Sequence, residues 1–459
     1  MAMKIFLTGI AGAGMHSLAL YLSDAGYDIS GSDPWIDETR LKFWADRGVV
    51  VYREQKEENI DGVDMVIYSA AVPPSNPERR AADDRHIGYS RGEALARFTN
   101  EHGGCIAVCG THGKGTTSGA ILKGLNDAGI VVSDILGAVP IGFTQPSICR
   151  RGSKYLVCEV DESDRTNLFH RPAWLLINNI EEDHLNVYRD LDDIIDTFAK
   201  HVRLCLEYGT KVVIHYAGVG APGLYERLKD CREIFWVCEE GKLESPALAW
   251  KIESPDAHGC CRLHIRQANG ETYSILPRLG GRANAQNLAS AACLLGQTGI
   301  PTSVIADSLT GYKGLKDRCQ VQRNGQKMLV TDYASHPTCV ANDIEWVRPI
   351  AGRIIAVYHP YRYSLMKCHW QELAKNLAQA DVVLLAPFDG AGETPVEGLD
   401  SYDLARRIRQ HGTACEAQAF ESFEDLESAA FQMVVDGDCL MIFGGGPLFR
   451  MGRRIVFSE

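Results

Sequence analysis

The stretch Cys105 to Leu125, CIAVCGTHGKGTTSGAILKGL, constrains the fold more than any other part of the chain. An unbroken apolar run leads into a turn with Gly110 and Gly113, and Lys114 then opens a segment of helical periodicity. Such a run is the mark of a strand buried on both faces, as in a parallel sheet. A glycine turn between that strand and a helix aims backbone N–H groups at an anion, and the helix dipole adds to the attraction. Lys114 supplies a mobile positive charge. The usual phosphate loop follows its lysine with Ser or Thr, which holds the magnesium ion of ATP. Here Gly115 stands in that place, with Thr116 and Thr117 after it. The loop is a working site with a displaced hydroxyl, a degraded one, or a chance match.

The same texture recurs along the chain. KIFLTGIAGAG, DMVIYSAAV, KYLVCEVDESD, AWLLINNIEEDH, KMLVTDYASHP, GRIIAVYHPYRYS, ADVVLLAPFDGAGE and DCLMIFGGG each join an apolar run to a polar or glycine-rich end, and helical segments lie between them. Strand–helix alternation of this kind predicts an α/β protein with ligands at the carboxyl ends of the strands. The chain has 459 residues, which at about 150 residues per domain suggests roughly three domains. The expected fold has three domains, each with a mainly parallel sheet flanked by helices. They are a Rossmann-like domain over 1–103, a P-loop-type central ATPase domain over 104–316 and a Rossmann-like C-terminal domain over 317–459.

A formal charge of −12 argues against a general nucleic-acid or anionic-membrane partner, either of which calls for a basic surface. The fifteen cysteines are scattered, with no zinc-type CxxC pair, and read as reduced thiols of a cytoplasmic protein. MAMKIFLTGIAGAGM lacks a long apolar segment and reads as a first strand rather than a signal peptide.

Glu159 ends the strand KYLVCE and is expected to point into the site, where a carboxylate suits Mg²⁺. The acids after it, Asp161, Glu162 and Asp164, form a burst in which Glu162 and Asp164 also fit a solvated loop. Asp183 and His184 lie at the end of the next strand and are candidates for a second metal or the reacting phosphate. At the N-terminus, GIAGAG is GxxGxG and not the GxGxxG of dinucleotide dehydrogenases, although Asp33 sits near the expected acidic position. An NAD-dependent oxidoreductase is the default for these glycines alone. The ATP-type loop downstream favours a nucleotide diphosphate, with Gly9, Gly12 and Gly14 admitting the pyrophosphate and Asp33 near the ribose.

The strings GTHGK with TT, EVDESD and NNIEEDHLNVY resemble the Mur ligase family of ATP-dependent peptidoglycan ligases. GIAGAGM, GSD, SNPE, DYASHPT, HPYRYS and AGETPVEG extend the likeness, in order, over nearly the whole chain. The resemblance implies an ADP-forming carboxylate–amine ligase that uses ATP and Mg²⁺ to join L-alanine to UDP-N-acetylmuramate through an acyl phosphate, as a monomer or homodimer in the cytoplasm. It implies Lys114, Glu159 and His184 as catalytic groups, and Thr116, Glu159 and His184 as metal ligands. ATP would meet Gly110, Thr111, His112, Gly113, Lys114, Gly115, Thr116, Thr117, Asn284, Arg318 and Asp332. The UDP-sugar would meet Gly9, Gly12, Gly14, Met15, Asp33 and Ser69, and the amino acid Tyr333, Ser335 and Arg362. Folylpolyglutamate synthetases of the same superfamily also carry glycine and then a hydroxyl residue after the loop lysine. Thr116 is therefore the expected hydroxyl, with Thr117 second.

The chain departs from the family pattern at several positions. Ala283 stands where the family has histidine and Asp317 where a second basic residue is typical. Ser335 and Tyr361 replace histidines, and Leu365 replaces an arginine that would complete a carboxylate fork. Two alternatives follow. One is the recycling ligase of the family, which attaches the peptide L-alanyl-γ-D-glutamyl-meso-diaminopimelate; the other is a nucleotide-binding pseudoenzyme or sensor.

Overall fold

The computed structural model describes residues 2–256, 260–391, 393–411 and 415–457. Gly392 of the AGETPVEG string lies outside the described residues. The strands gather into three sheets. The first contains β1 (Lys4–Thr8), β2 (Asp28–Ser32), β3 (Val50–Tyr52), β4 (Met65–Tyr68) and β5 (Gly88–Ser90) in the order β3-β2-β1-β4-β5, with all pairs parallel. The order reverses at β1, which opens a crevice at its carboxyl end, where the N-terminal glycines lie.

The second sheet comprises β6 (Cys105–Cys109), β7 (Val132–Ile135), β8 (Ser147–Ile148), β9 (Tyr155–Glu159), β10 (Trp174–Ile177), β11 (Lys211–His215), β12 (Ile234–Glu239), β13 (Leu248–Ile252), β14 (Leu263–Gln267) and β15 (Thr272–Ile275). Its order is β15-β14-β13-β12-β11-β10-β6-β9-β7-β8, parallel except for β13–β14, β14–β15 and β7–β8. β6 is buried throughout: Cys105, Ala107 and Cys109 face one apolar cluster, Ile106 and Val108 another. That two-sided burial explains why the run shows no polar alternation. The third sheet holds β16 (Gln320–Asn324), β17 (Lys327–Asp332), β18 (Arg353–Tyr358), β19 (Val382–Leu385), β20 (Glu416–Ala419) and β21 (Asp438–Phe443). They run in the order β16-β17-β21-β18-β19-β20, with β16–β17 antiparallel and the rest parallel.

The first and second sheets share one continuous core, which runs from Ile5 and Leu18 through Leu95 and Phe98 to Cys105, Leu156 and Leu175. The helix Arg91–Asn100 makes the join. Asn100 Nδ2 donates to Phe169 O (2.9 Å), Arg171 N donates to Asn100 Oδ1 (2.7 Å), and a Cβ at Gly92 would collide with Thr166. The third sheet has its own cores on its two faces. It follows the segment around Leu315, whose backbone bridges Pro140.

All fifteen cysteines are free thiols. Among the described residues no helix is long and apolar enough to cross a membrane.

Candidate active site

The loop after β6 is shaped by its glycines. Gly110 and Gly113 have φ of +123° and +78°, where a side chain would be strained. A Cβ on Gly113 would also run into the amide of Asn287, which packs the loop against the helix Arg282–Gln297. The helix Lys114–Asp127 begins at Gly113 with no side-chain cap and no acid in its first turn, so its leading N–H groups remain available for an anion.

Lys114 crosses this mouth. Its Nζ donates to Gly110 O at 2.9 Å and pairs with Glu162 Oε2 at 3.0 Å, with Asp161 Oδ1 at 4.0 Å. Burial disfavours the ammonium, but Glu162 and Asp161 outweigh it and raise the Lys114 pKa, so the lysine stays charged. Glu162 is therefore no solvated loop residue: its side chain is 3 % exposed and pairs with the loop lysine. Asp164 has a structural task, its Oδ1 accepting from Thr166 N (3.0 Å) and Thr166 Oγ1 (2.5 Å).

His184, held at φ +54°, points Nε2 toward Glu162 Oε1 (3.8 Å) and Asp183 Oδ2 (3.6 Å). One ligand atom each from Asp161, Glu162 and His184 lies within 4.8 Å of the others. Glu159 stands apart from this group. Its Oε1 accepts from Gly137 N at 2.6 Å, and its carboxylate is 3.3 Å from where a Cβ of Gly115 would be. Leu315 Cδ1 is nearer still to that point, at 2.8 Å. The position after the lysine is thus filled from outside by a carboxylate and a leucine, which explains why it is glycine. Thr116 is partly accessible, whereas Thr117 is buried and exchanges hydrogen bonds with the Asn178 amide (3.0 and 3.2 Å). Thr111 Oγ1 accepts from Glu181 N at 2.9 Å and ties the loop to the end of β10.

In the first sheet the GxxGxG turn lies where expected. Gly12 starts the helix Ala13–Asp24 with no capping side chain, and Ser69 at the end of β4 faces Gly9, 3.3 Å from the position of a Cβ there. The Met15 side chain, 1 % exposed, belongs to the core, which leaves its backbone in the first turn of the helix to meet a ligand. Both Asp33 oxygens accept backbone bonds, from Ala11 N (3.0 Å) and Trp35 N (2.9 Å), which anchors the turn. Arg91 escaped the sequence reading. Its Nε is buried with no hydrogen-bond partner among the described residues, 2.6 Å from the position of a Cβ on Gly14, and after Lys114 its charge helps hold Asp161 ionised against the effect of burial. The one local signal was its place just after the Ser90 helix cap.

Asn284 donates to Gly280 O at 2.8 Å. Arg318 lies over the exposed Tyr333 ring (5.3 Å), donates to Tyr333 O (3.0 Å) and approaches Asp332 Oδ1 (3.9 Å). Asp317 pairs with Arg453 of the last helix and accepts from Thr331 Oγ1 (3.3 Å), so the acid at the hinge has a basic partner from far along the chain. Ser335 O accepts from Tyr358 Oη at 3.2 Å. Arg362 is exposed beside Tyr361, whereas Leu365 packs on the core of the third sheet and offers nothing to a carboxylate.

The second and third sheets meet at the loop. Glu181 Oε2 accepts from Thr338 Oγ1 (2.6 Å) and lies 3.5 Å from His112 Nε2 and 4.0 Å from His336 Nδ1. Burial opposes a charge on His112, yet Cys339 and Glu181 push its pKa up to about 10. Burial, reinforced by His112 and His369, holds His336 down at about 4.

Family models match the chain in three successive pieces: the Mur ligase family catalytic domain over residues 4–102, the Mur ligase middle domain over 108–295 and the Mur ligase glutamate ligase domain over 317–446. The UDP-N-acetylmuramate–L-alanine ligase of Syntrophomonas wolfei is 30 % identical over 459 residues, covering 98 % of this chain and 96 % of the relative. That of Nitrosomonas europaea is 30 % identical over 468 residues, covering 97 % and 94 %. Among solved structures, UDP-N-acetylmuramate–alanine ligase from Thermotoga maritima superposes with a TM-score of 0.80 at 20 % identity over 99 % of both chains. A murein peptide ligase from Psychrobacter arcticus gives 0.72 at 21 % identity, covering 100 % of this chain and 98 % of its own. With the family's domains matched in order along the whole sequence and relatives of this identity spanning it, the chain belongs to the Mur ligase family.

Proposed function

We propose that this protein is an ATP-dependent, ADP-forming ligase that joins L-alanine to UDP-N-acetylmuramate in the cytoplasm, with domain limits of 1–103, 104–316 and 317–459. The observation that carries this reading is the charged Lys114 held by Glu162 at the mouth of an uncapped helix, beside His184. In this mechanism the loop N–H groups and Lys114 bind the β- and γ-phosphates of ATP and neutralise the migrating phosphoryl group. The substrate carboxylate attacks the γ-phosphorus, ADP leaves, and an acyl phosphate remains. The alanine amine attacks the acyl carbon, loses a proton, and expels inorganic phosphate. Arg91, beside Gly14 and within electrostatic reach of Asp161, is placed to orient the sugar's carboxylate between the two sites.

The carboxylate-rich set at the ends of β9 and β10 fits a hard divalent cation. Thr116 and Glu159 would hold one Mg²⁺ and His184, which stands apart from Glu159, a second; when bound, these ions would neutralise phosphoryl oxygens.

Leu365, packed away where a second arginine would sit, favours one alternative: a longer peptide as the incoming amine. The deciding experiment measures phosphate release with ATP, UDP-N-acetylmuramate and either L-alanine or L-alanyl-γ-D-glutamyl-meso-diaminopimelate. Faster turnover with L-alanine supports the proposal, and faster turnover with the peptide replaces it with the recycling reaction. Nucleotide and sugar binding without phosphate release on either amine would mark a sensor.

A further inference from the structure

Cys319, Asp332 and Asp343 meet where the third sheet begins. Asp332 ends β17, and Asp343 lies on the helix Pro337–Val347, which covers one face of that sheet. Cys319 follows the hinge arginine, Arg318. One side-chain atom from each of the three, a carboxylate oxygen or the sulfur, lies within 4.8 Å of the others. The Cys319 thiol donates to Asp343 Oδ1 at 3.1 Å. Asp343 Oδ2 is buried, and among the described residues no donor reaches it. A carboxylate oxygen that is out of water and beside a second carboxyl, with nothing to accept from, is accounted for when it carries a proton and donates instead.

Two carboxyl groups this close, both largely removed from water, do not both ionise, so the pair holds one proton between them. The surroundings decide which keeps it. Asp332 Oδ1 lies 3.9 Å from Arg318 Nη1, and its side chain keeps 13 % exposure. The titratable groups that face Asp343 are Asp332 and the thiols of Cys319 and Cys339, none of them a cation. Burial and the Asp332 charge push the Asp343 carboxyl well above the usual carboxylate range. Burial acts on Asp332 in the same direction, but the hydrogen bond from Asp343 and the Arg318 charge oppose it.

The hinge needs such an anchor. Asp317 and Cys319 flank Arg318 at φ of +55° and +46°, a region that costs energy for residues with a side chain. Each is tied down by a distant partner, Asp317 by Arg453 and Cys319 by Asp343. We propose that Asp343 is a positioning residue of the ATP site: as a neutral acid it donates a hydrogen bond to Asp332, which stays ionised toward Arg318 and fixes the aim of that arginine. The inference rests on the reading of Asp332 and Arg318 as ATP contacts.

The test combines infrared difference spectroscopy with calorimetry on the full-length protein. At neutral pH the wild-type spectrum should contain a protonated carboxyl C=O band that disappears in Asp343→Asn. ATP with Mg²⁺ should bind at least about tenfold more weakly to Asp343→Leu, which is similar in size and has no donor. Asp343→Asn, whose amide still donates to Asp332, should bind ATP as the wild type does. The affinity for UDP-N-acetylmuramate should be unchanged in both variants, which a general loss of structure would not allow. Absence of the band, or ATP binding weakened equally in Asp343→Asn and Asp343→Leu, would overturn the proposal. So would a cobalt–thiolate absorption band on adding Co²⁺ that is lost in Cys319→Ser, since the group would then be a metal site. Weaker ATP binding in Arg318→Ala beside wild-type binding in Asp343→Leu would overturn the role of Asp343 and leave the ATP reading of the hinge intact. Wild-type ATP binding in Arg318→Ala would remove that reading, and the proposal with it.

Discussion

Lys114 Nζ stands 3.0 Å from Glu162 Oε2, across 48 residues of sequence, and this pair sets the electrostatics of the phosphate loop. Removing the cation alone leaves a buried carboxylate without its partner. Lys114→Met should therefore lower stability by about 3–5 kcal/mol. It should also reduce phosphate release by a factor of about 10²–10³, the usual effect of losing one transition-state charge contact. Urea denaturation and a phosphate assay on the same preparation check both effects. Near-wild-type turnover would remove Lys114 from the chemistry.

The two threonines should separate by readout. Thr116→Ala removes a partly accessible hydroxyl and is expected to lower phosphate release strongly with little change in melting temperature. Thr117→Ala leaves the buried Asn178 Oδ1 without the Thr117 donor, while Nδ2 keeps His112 O, at a cost of about 1–3 kcal/mol. It should lower the melting temperature and spare more of the activity. Equal, full activity in both variants would show that neither hydroxyl serves the metal.

Buried histidines predict acid sensitivity. His215 accepts from Trp250 Nε1 (3.0 Å), so its other nitrogen donates to Ser290 Oγ (2.8 Å), and the ring is locked neutral. Burial holds His215 and His170 down at about 3 and His201 at about 4. Unfolded histidine titrates near 6.5, so between these values the unfolded chain binds more protons than the native one. The histidine contribution is then full above about pH 6.5 and falls with decreasing pH, by up to about 1.4 kcal/mol per pH unit for each ring, while Asp134, raised to about 7 by burial, offsets one ring over the same range. Denaturant midpoints should drop between about pH 7 and pH 5. A flat profile would contradict this account.

Gly115 offers a packing test. A methyl group there would sit 2.8 Å from Leu315 Cδ1 and 3.3 Å from Glu159 Oε1. The gain in helix propensity, about 1 kcal/mol, is set against overpacking of about 1–3 kcal/mol, so Gly115→Ala should be net destabilising. Leu315→Ala in the same chain should relieve it, with a coupling of about 0.5–3 kcal/mol in a double-mutant cycle. Strict additivity would show that Leu315 does not occupy that space.

The legible parts of this protein were the contiguous ones. β6, the glycine turn and the helix after it are neighbours in sequence, so apolar continuity and glycine placement were enough to read the loop. The relationships that organise the site join distant positions: Glu162 with Lys114, Glu181 with Thr338, Asp317 with Arg453. Nothing local distinguishes Glu162 from the other acids of DESD, because its burial is imposed by the loop that folds over it. Met15 shows the converse. It stands next to the glycine turn in sequence, but helical geometry turns its side chain into the core.

The helix Arg91–Asn100 follows the first sheet in sequence but is fastened to the second by Asn100, Thr99 and the missing Cβ of Gly92. The first and second sheets therefore rest on one continuous core, whereas the third sheet is built on cores of its own. A substitution that loosened the Asn100–Phe169 and Gly92–Thr166 join would disturb the glycine turn after β1 and the phosphate loop together, and would reach the third sheet only through contacts such as Glu181–Thr338.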